Sequence, residues 1–98
     1  MENIASYIDH TMLKADADEN TIRRYCREAR EQSFRSVCVN SYRTALVHEE
    51  LKGSGVLTCT VVGFPLGAMS PEAKAFEAKK AVMDGASEID MVINIGAL

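Results

Sequence analysis

The feature that most constrains the fold is a regular alternation of short apolar runs with longer amphipathic stretches. Three runs rich in β-branched residues are predicted strands: SVCVN (36–40), VLTCTVVGF (56–64) and EIDMVINI (88–95). A weaker run, YIDHTML (7–13), is the predicted first strand, preceded by a short helix at residues 2–6. Strands that alternate with helices form right-handed crossovers between parallel strands. The order β-α-β-α-β-α-β therefore predicts an α/β domain with a parallel sheet.

Capping signals mark the start of each predicted helix. Asp18 is placed to cap a helix that runs to about residue 32, and Ser41 is placed to cap a second helix. Ser70, followed by proline and glutamate, is the predicted cap of a third helix. The predicted inward-facing residues are Ile22, Tyr25, Cys26 and Ala29 in the first helix, Tyr42, Ala45, Leu46 and Leu51 in the second, and Ala75, Phe76, Val82 and Met83 in the third. The glycines of KGSG and Gly85 are predicted to end the last two helices.

Composition narrows the class of protein. A length of 98 residues suits one small domain, and 47% apolar with 26% charged residues is ordinary for a globular chain. The net charge of -3 gives no basic surface for nucleic acid, and no apolar run could span a membrane. The three cysteines lack metal-ligand spacing, and the N-terminus carries no secretory signal. We therefore expect a cytoplasmic protein with free thiols and without a metal or cofactor.

Two architectures are built from such βα units, a doubly wound open sheet and a closed (β/α)8 barrel. Four strands cannot close a barrel of that type, which typically needs roughly 250 residues. The glycine-rich fingerprints of dinucleotide-binding sheets and of P-loops are absent from the sequence. The residues alone therefore leave open both a small open domain and part of a barrel.

Polar side chains are predicted on one face of the sheet. Because side chains alternate along a strand, the fourth strand presents Glu88, Asp90, Val92 and Asn94 on one face and Ile89, Met91, Ile93 and Ile95 on the other, which we expect to meet the helices. Asp9 and Thr11 share a face of the first strand, and Cys38 and Asn40 share one of the second. The candidate site residues are therefore Asp9, Thr11, Cys38, Asn40, Asp90 and Asn94.

Each of these residues has a structural as well as a functional interpretation. A buried carboxylate is costly unless it is paired, so Asp90 is either functional or a structural group bound to a lysine or to backbone amides. Asp9 could serve only to hold Thr11 and a nearby loop, and the residues favour that role slightly. Cys38 fits a small core residue better than a nucleophile, because no histidine is evidently paired with it.

The motifs IDHTMLK, SVCVN, CTVVGFPLGAM and FEAKKAVMDGASEIDMVINIGAL, in this order, resemble the deoxyribose-phosphate aldolase family over essentially the whole chain. The resemblance implies a single unit, residues 1–98, that forms the first half of a (β/α)8 TIM barrel with about four strands and three to four helices. It also implies a class I aldolase that cleaves 2-deoxy-D-ribose 5-phosphate to glyceraldehyde 3-phosphate and acetaldehyde. Such an enzyme uses a lysine Schiff base and no metal, and acts in deoxyribonucleotide catabolism.

The resemblance also assigns roles to particular residues. Asp90 matches the family's aspartate that donates and accepts a proton at the substrate C2 carbon, together with a lysine and a water. Asp9 and Thr11 match residues near the substrate and the catalytic lysine, and Cys38 matches a cysteine near the substrate. The chain departs from the family at Ser41, where proline usually follows the V-C-V-N motif.

The family's catalytic lysines have no counterpart in these residues. The family carries the Schiff-base lysine on the sixth strand and a second lysine on a strand near the end of the barrel. The lysines of this chain, Lys14, Lys52, Lys74, Lys79 and Lys80, all lie outside the predicted strands. We therefore expect residues 1–98 to be inactive alone, with a phosphorylated sugar or aldehyde as substrate of the complete enzyme.

Two non-catalytic alternatives remain, a self-associating half-barrel and a small-molecule-binding open sheet. We expect a homo-oligomer, a dimer or a multiple of one, because a half-barrel exposes unpaired strand edges and the apolar residues of its inner face.

Overall fold

The computed structural model describes residues 3–98, which form a sheet of four parallel strands that lie side by side in chain order, with three α-helices in the connections. The strands are β1 (Asp9–Met12), β2 (Ser36–Val39), β3 (Leu57–Val62) and β4 (Glu88–Met91), and the helices are α1 (Glu19–Gln32), α2 (Thr44–Glu50) and α3 (Pro71–Met83). Short 3-10 turns lie at Ile4–Tyr7, Ser41–Arg43 and Ile95–Ala97. The predicted α/β order is confirmed, with shorter strands than the sequence suggests. The part of the predicted N-terminal helix at residue 2 lies outside the described residues.

The main core lies between the sheet and helices α1 and α2. It contains Met12 from β1, Val37 and Val39 from β2, Ile22, Cys26 and Ala29 from α1, and Val47, Leu51 and Val56 from α2 and the segment after it. His10 points to the same side, where its ring stacks on Tyr25 with centroids 4.2 Å apart and its Nε2 lies 3.0 Å from Glu28 Oε1. The opposite side of the sheet carries no helix within residues 3–98. We call that side the inner face.

Local capping explains where α1 and α3 begin. The Asp18 carboxylate accepts a hydrogen bond from the Thr21 amide at 2.8 Å, and the Ser70 hydroxyl accepts one from the Ala73 amide at 3.3 Å. Helix α1 ends at Ser33, whose φ of 55° places it in the left-handed region. Gly85, with a φ of 111°, follows the end of α3. Both predicted caps are therefore confirmed.

The prediction for the second helix is wrong at its start and wrong for half of its inward side, because Leu51 is buried and Leu46 packs against the core as predicted. Ser41 does not cap a helix but opens a 3-10 turn, and α2 begins only at Thr44. Thr44 and Val47 are buried, whereas Tyr42 and Ala45 are exposed. Because a 3-10 turn advances by a larger angle per residue than an α-helix, the three residues of the turn rotate the inward side away from the predicted positions.

The predicted inward side of α3 is also wrong. Phe76 and Met83 are 71% and 72% exposed, and Ala75 and Val82 are exposed too. The sheet-facing residues are instead Lys74, Glu77, Ala78 and Ala81, of which Ala81 is fully buried. Small alanines let the helix approach the sheet closely, and the two charged residues reach backbone groups. Apolar side chains are therefore left on the outer side of this helix.

The fourth strand ends earlier than predicted, and its apolar side meets no helix within residues 3–98. Strand β4 stops at Met91, and Ile95 belongs to the 3-10 turn that follows. Ile89, Met91 and Ile93 are 36%, 57% and 61% exposed, because α3 lies over the neighbouring strand and no described helix follows β4 to cover them. Among the described residues, no helix is long and apolar enough to cross a membrane.

Candidate active site

The strand register brings most of the predicted site residues to the inner face. Thr11 lies opposite Cys38, and Cys38 lies opposite Cys59. Val61 lies opposite Asp90 on the neighbouring strand. In a parallel sheet, residues in register share a face, and so do residues two positions apart along one strand. Asp9, Thr11, Cys38 and Asp90 therefore share the inner face, while His10 and Val37 face the helices.

Asp9 and Thr11 are exposed on this face and hydrogen-bonded at its edge. The Ser36 hydroxyl of β2 donates a hydrogen bond to Asp9 Oδ1 at 2.6 Å. The Thr11 hydroxyl donates to the backbone carbonyl of Asp9 at 3.3 Å. Asp9 therefore holds Thr11, as the structural interpretation predicted, but through its backbone carbonyl, and its carboxylate bonds to the neighbouring strand and not to a loop.

Cys38 lies at the bottom of the inner face. It is 3% exposed, and together with Cys59 and Val61 it forms a small cluster against which Leu13 packs. A hydrogen bond with the Cys59 thiol, burial, and the negative charges of Asp90 and Asp9 all raise the pKa of Cys38. A neutral thiol is a poor nucleophile. The surroundings of Cys38 therefore favour a packing and lining role over nucleophilic catalysis.

This buried cluster changes the expected picture of the inner face. The apolar residues there were expected to meet water, yet Cys38, Cys59 and Val61 are all at least nine-tenths buried. Leu13 packs against this cluster and helps to cover it. Several large apolar residues in and beside α3 and β4 are exposed instead, namely Phe76, Val82, Met83, Met91 and Ile93.

Asp90 is exposed, which corrects the expectation of a buried carboxylate. The inner face carries no covering element within residues 3–98, so the side chain is open to solvent. No lysine, arginine or backbone amide of the described residues bonds to it, and the predicted structural alternative therefore gains no support. Its backbone lies in register with Val61 of the buried cluster, and its negative charge is one of the smaller causes that raise the pKa of Cys38.

The three carboxylates of the inner face differ in their partners. Glu88 forms an ion pair with Arg35, whose pKa it raises by that hydrogen bond and by its charge. Asp9 is bonded to Ser36. Within the described residues, only Asp90 of these three has neither an ion pair nor a hydrogen bond. It is therefore the inner-face carboxylate whose oxygen atoms remain open to hydrogen bonds with a bound molecule.

Two predicted members of the site lie elsewhere. Asn94 does not share the face of Asp90 but lines a cavity of about 430 Å³ with Lys74 and Met91, because the strand has already ended before it. Asn40 donates a hydrogen bond to the Leu13 carbonyl at 3.3 Å and ties together the segments after β1 and β2. Asn40 is therefore structural, and Asn94 faces a cavity beside α3 and not the inner face.

Sequence reasoning missed four residues around the site. Ser36 and Cys59 could have been found from the strand register, since both alternate onto the inner face. Lys74 and Glu77 could not, because charged residues on a helix normally indicate a solvated side. Among residues 3–98, no cluster of three or more potential ligands could hold a metal ion.

Parallel βα units with polar residues on the face away from the helices are typical of part of a (β/α)8 barrel, and comparisons show which proteins of this fold the chain is similar to. A deoxyribose-phosphate aldolase from Finegoldia magna is 64% identical over 92 residues, which are 94% of this chain and 43% of that protein. No family model matches the sequence.

Solved structures agree with this assignment. A putative deoxyribose-phosphate aldolase from Coccidioides immitis superposes with a TM-score of 0.94 at 40% identity, over 96% of this chain and 37% of that chain. The tetrameric deoxyribose phosphate aldolase from Aeropyrum pernix gives a TM-score of 0.89 at 35% identity. The superposition covers 95% of this chain and 40% of that chain.

The chain is a relative of the deoxyribose-phosphate aldolases, which are carbon–carbon lyases, and it spans less than half of the length of the relatives it matches. The predicted resemblance and the predicted fold, about half of a (β/α)8 barrel, are confirmed.

Proposed function

We propose that residues 1–98 supply the acid–base part of an aldolase active site that cleaves 2-deoxy-D-ribose 5-phosphate to glyceraldehyde 3-phosphate and acetaldehyde. The observation that carries the proposal is the position of Asp90 on the inner face, in register with Val61 of the buried cluster and, within residues 3–98, without a hydrogen-bond or ion-pair partner. The similarity to deoxyribose-phosphate aldolases supports the choice of substrate. Asp9, Thr11 and Cys38 line the substrate in this proposal.

Asp90 handles the proton at the substrate C2 carbon. When the C2–C3 bond breaks, the C3 hydroxyl gives its proton through the water to Asp90 and C3 becomes the aldehyde carbon of glyceraldehyde 3-phosphate, while the electron pair of the broken bond stays with C2 in the enamine formed from the Schiff base. Asp90, working with a lysine and a water, returns a proton to C2, and hydrolysis then releases acetaldehyde. General acid–base catalysis of this kind typically contributes about 10²–10⁴-fold.

The nucleophile comes from outside residues 1–98. None of the five lysines lies on a strand, where burial could lower its pKa toward reactivity. Lys14 follows β1 and is exposed, and Lys74 is occupied by two backbone carbonyls. The chain alone is therefore inactive, and the complete cytoplasmic enzyme needs no metal or cofactor.

The test uses a joined protein in which residues 1–98 replace the matching segment of the Finegoldia magna relative. Asp90→Asn keeps the shape of the side chain but cannot carry the proton, so kcat should fall by about 10²–10⁴-fold with an unchanged circular dichroism spectrum. Asp84→Asn is the control, because Asp84 pairs with Lys80 at the end of α3, away from the inner face. An Asp90→Asn protein with near-full activity would show that the carboxylate is structural.

The second candidate function is that of a non-catalytic, self-associating half-barrel. Strands β1 and β4 are edges of the sheet, and large apolar residues are exposed beside β4. The tetrameric Aeropyrum pernix relative assembles into an oligomer. We propose that this chain forms a homo-oligomer as well, whether or not it is part of an active enzyme.

A further inference from the structure

Helix α3 turns two charged side chains toward the sheet. Lys74 and Glu77 stand one turn apart, and both are half-buried. A lysine and a glutamate at this spacing on a helix surface often pair with each other. Here they do not, and each bonds to groups in the segments that follow the carboxyl ends of the strands.

Lys74 holds the backbone immediately after Asp90. Its ammonium group donates hydrogen bonds to the carbonyl of Val92 at 3.0 Å and to the carbonyl of Gly67 at 3.1 Å. Val92 is two residues beyond Asp90, and its amide donates to the Val62 carbonyl at 2.9 Å. The backbone that carries Asp90 is therefore fixed by β3 on one side and by Lys74 on the other.

Glu77 holds the end of the neighbouring strand. Its Oε1 accepts a hydrogen bond from the Gly63 amide at 2.8 Å, directly after β3. Its Oε2 accepts a hydrogen bond from the Ser41 hydroxyl at 2.7 Å, in the turn after β2. Proline, which the family usually has at this position, could not donate that bond. One helix thus fixes the segments after β2, β3 and β4.

The packing around Lys74 leaves little room for another arrangement. A Cβ atom on Gly63 would lie 3.1 Å from Lys74 Cε, and a Cβ atom on Gly67 would overlap the backbone carbonyl of Ile93. The loop between β3 and α3 is therefore pressed against both the lysine and the chain after β4. A shift of the lysine would be passed on to the segment that carries Asp90.

The energetics favour a positioning role over a stabilising one. Within the described residues the Lys74 ammonium group has only carbonyl oxygens as partners and no carboxylate. Partial burial of a charge without a counter-charge costs free energy, and an apolar residue would fill the same space at lower cost. What the lysine adds is directional bonding to two defined carbonyls.

We propose that Lys74 is a positioning residue for Asp90, with Glu77 fixing the adjoining end of β3. The proposal rests on the proposed function, because it assumes that the position of the Asp90 carboxylate matters for proton transfer at C2. A displacement on the order of 1 Å can cost up to about 100-fold in rate. Lys74 is expected to act on that step alone and to leave Schiff-base formation unchanged.

The test separates these two steps in the joined protein. Asp90-dependent proton transfer is measured by NMR as the exchange of acetaldehyde methyl protons with deuterated water. Schiff-base formation is measured by borohydride trapping and mass spectrometry.

Lys74→Met should slow the exchange roughly 10–100-fold while trapping stays at the parental level. Lys74→Arg, which keeps the donors, should recover part of the rate. Lys79→Met is the control on the same helix, because Lys79 is exposed and has no polar partner among residues 3–98.

Measuring Asp90→Asn beside these variants distinguishes failure of the positioning role from failure of the proposed function. If Asp90→Asn stops the exchange and Lys74→Met does not slow it, the positioning role is wrong and the proposed function stands. If Lys74→Met lowers exchange and trapping in the same proportion, the lysine serves the fold in general and the proposal is overturned. If Asp90→Asn leaves the exchange unchanged, the proposed function itself fails, and the positioning role fails with it.

Discussion

At the scale of single residues, side chains of the same chemical type differ in role because they have different bonding partners. Glu88, Asp9 and Asp90 are all carboxylates on one face of one sheet. Arg35 engages Glu88 and Ser36 engages Asp9, which leaves Asp90 available. The chemistry proposed for Asp90 depends on this difference.

The pH dependence of the first helix cap gives a residue-scale prediction. Hydrogen bonds from the Thr21 amide and hydroxyl hold the pKa of Asp18 below its ordinary value of 3.8. Because the pKa is lower in the folded state, the stabilising effect is fully present above that value and is lost as the pH falls through the folded-state pKa. An asparagine in place of this aspartate would cap the helix without titrating.

Urea unfolding of the joined protein and of its Asp18→Asn variant between pH 6 and pH 3 measures this effect. The advantage of the parent over the variant should be constant down to about pH 5 and should shrink below about pH 4. An advantage that does not change with pH would contradict the role of the Asp18 charge.

The sequence could identify the candidate residues of the site, but not their bonding partners or their exposure to solvent. Asp9, Thr11, Cys38 and Asp90 follow from strand alternation and from the resemblance, because the period of two is a local property. Arg35 is 53 residues away from Glu88 in the chain, so the pairing that sets Glu88 apart from Asp90 was not visible. The exposure of Asp90 was missed for a similar reason, since burial depends on elements beyond its own strand.

At the scale of elements, the loop between β3 and α3 is the most tightly fitted part of the site. Gly63 and Gly67 both have positive φ angles, 70° and 66°. Gly67 also accepts a hydrogen bond from Lys74 and lies against the backbone of Val92 and Ile93. Two constraints, a left-handed conformation and a close approach, therefore meet at Gly67.

Substitution by alanine separates those two constraints. Gly53→Ala should destabilise by about 1–2 kcal/mol, because Gly53 has a φ of 75° but nothing within 4 Å of an added Cβ atom. Gly67→Ala adds a collision with the Ile93 carbonyl and should cost roughly 1–3 kcal/mol more. Thermal or urea unfolding of both variants of the joined protein measures the difference. Equal destabilisation of the two variants would show that the loop can move away from the strand.

The starts of helices could be predicted from the sequence where the capping signals are local. The side of a helix that faces the sheet could not always be predicted. The caps at Asp18 and Ser70 involve hydrogen bonds spanning three residues, so the starts of α1 and α3 were predicted correctly. The inward side of α3 was not, because its contacts are made by two alanines and by two charged residues that bond to distant backbone. Apolar periodicity detects burial by large side chains only.

At the scale of the whole molecule, the open sheet is the dominant property. Strands β1 and β4 present unpaired backbone groups, and Phe76, Met83 and Ile93 are more than half exposed. Exposed edges and apolar patches of this kind promote pairing between chains. The resemblance predicted this half-barrel, whereas the alternation of strands and helices alone left the open sheet equally possible.

The polypeptide of residues 1–98 should therefore self-associate. Multi-angle light scattering at micromolar concentration should give the mass of a dimer or of a multiple of one. A second copy can pair with the free edges and cover the apolar residues beside β4. A folded monomer across that concentration range, with sharp and dispersed NMR signals, would show that these surfaces are tolerated in water.

The central claim is that these residues carry the proton-transfer group of an aldolase and not its nucleophile. Borohydride reduction in the presence of 2-deoxy-D-ribose 5-phosphate, followed by peptide mass spectrometry, tests it most directly. We predict no reduced adduct on any of the five lysines of residues 1–98, either alone or in the joined protein, and an adduct in the joined protein on a lysine of the added segment. A reduced adduct on Lys14, or on any other lysine of residues 1–98, would contradict the account.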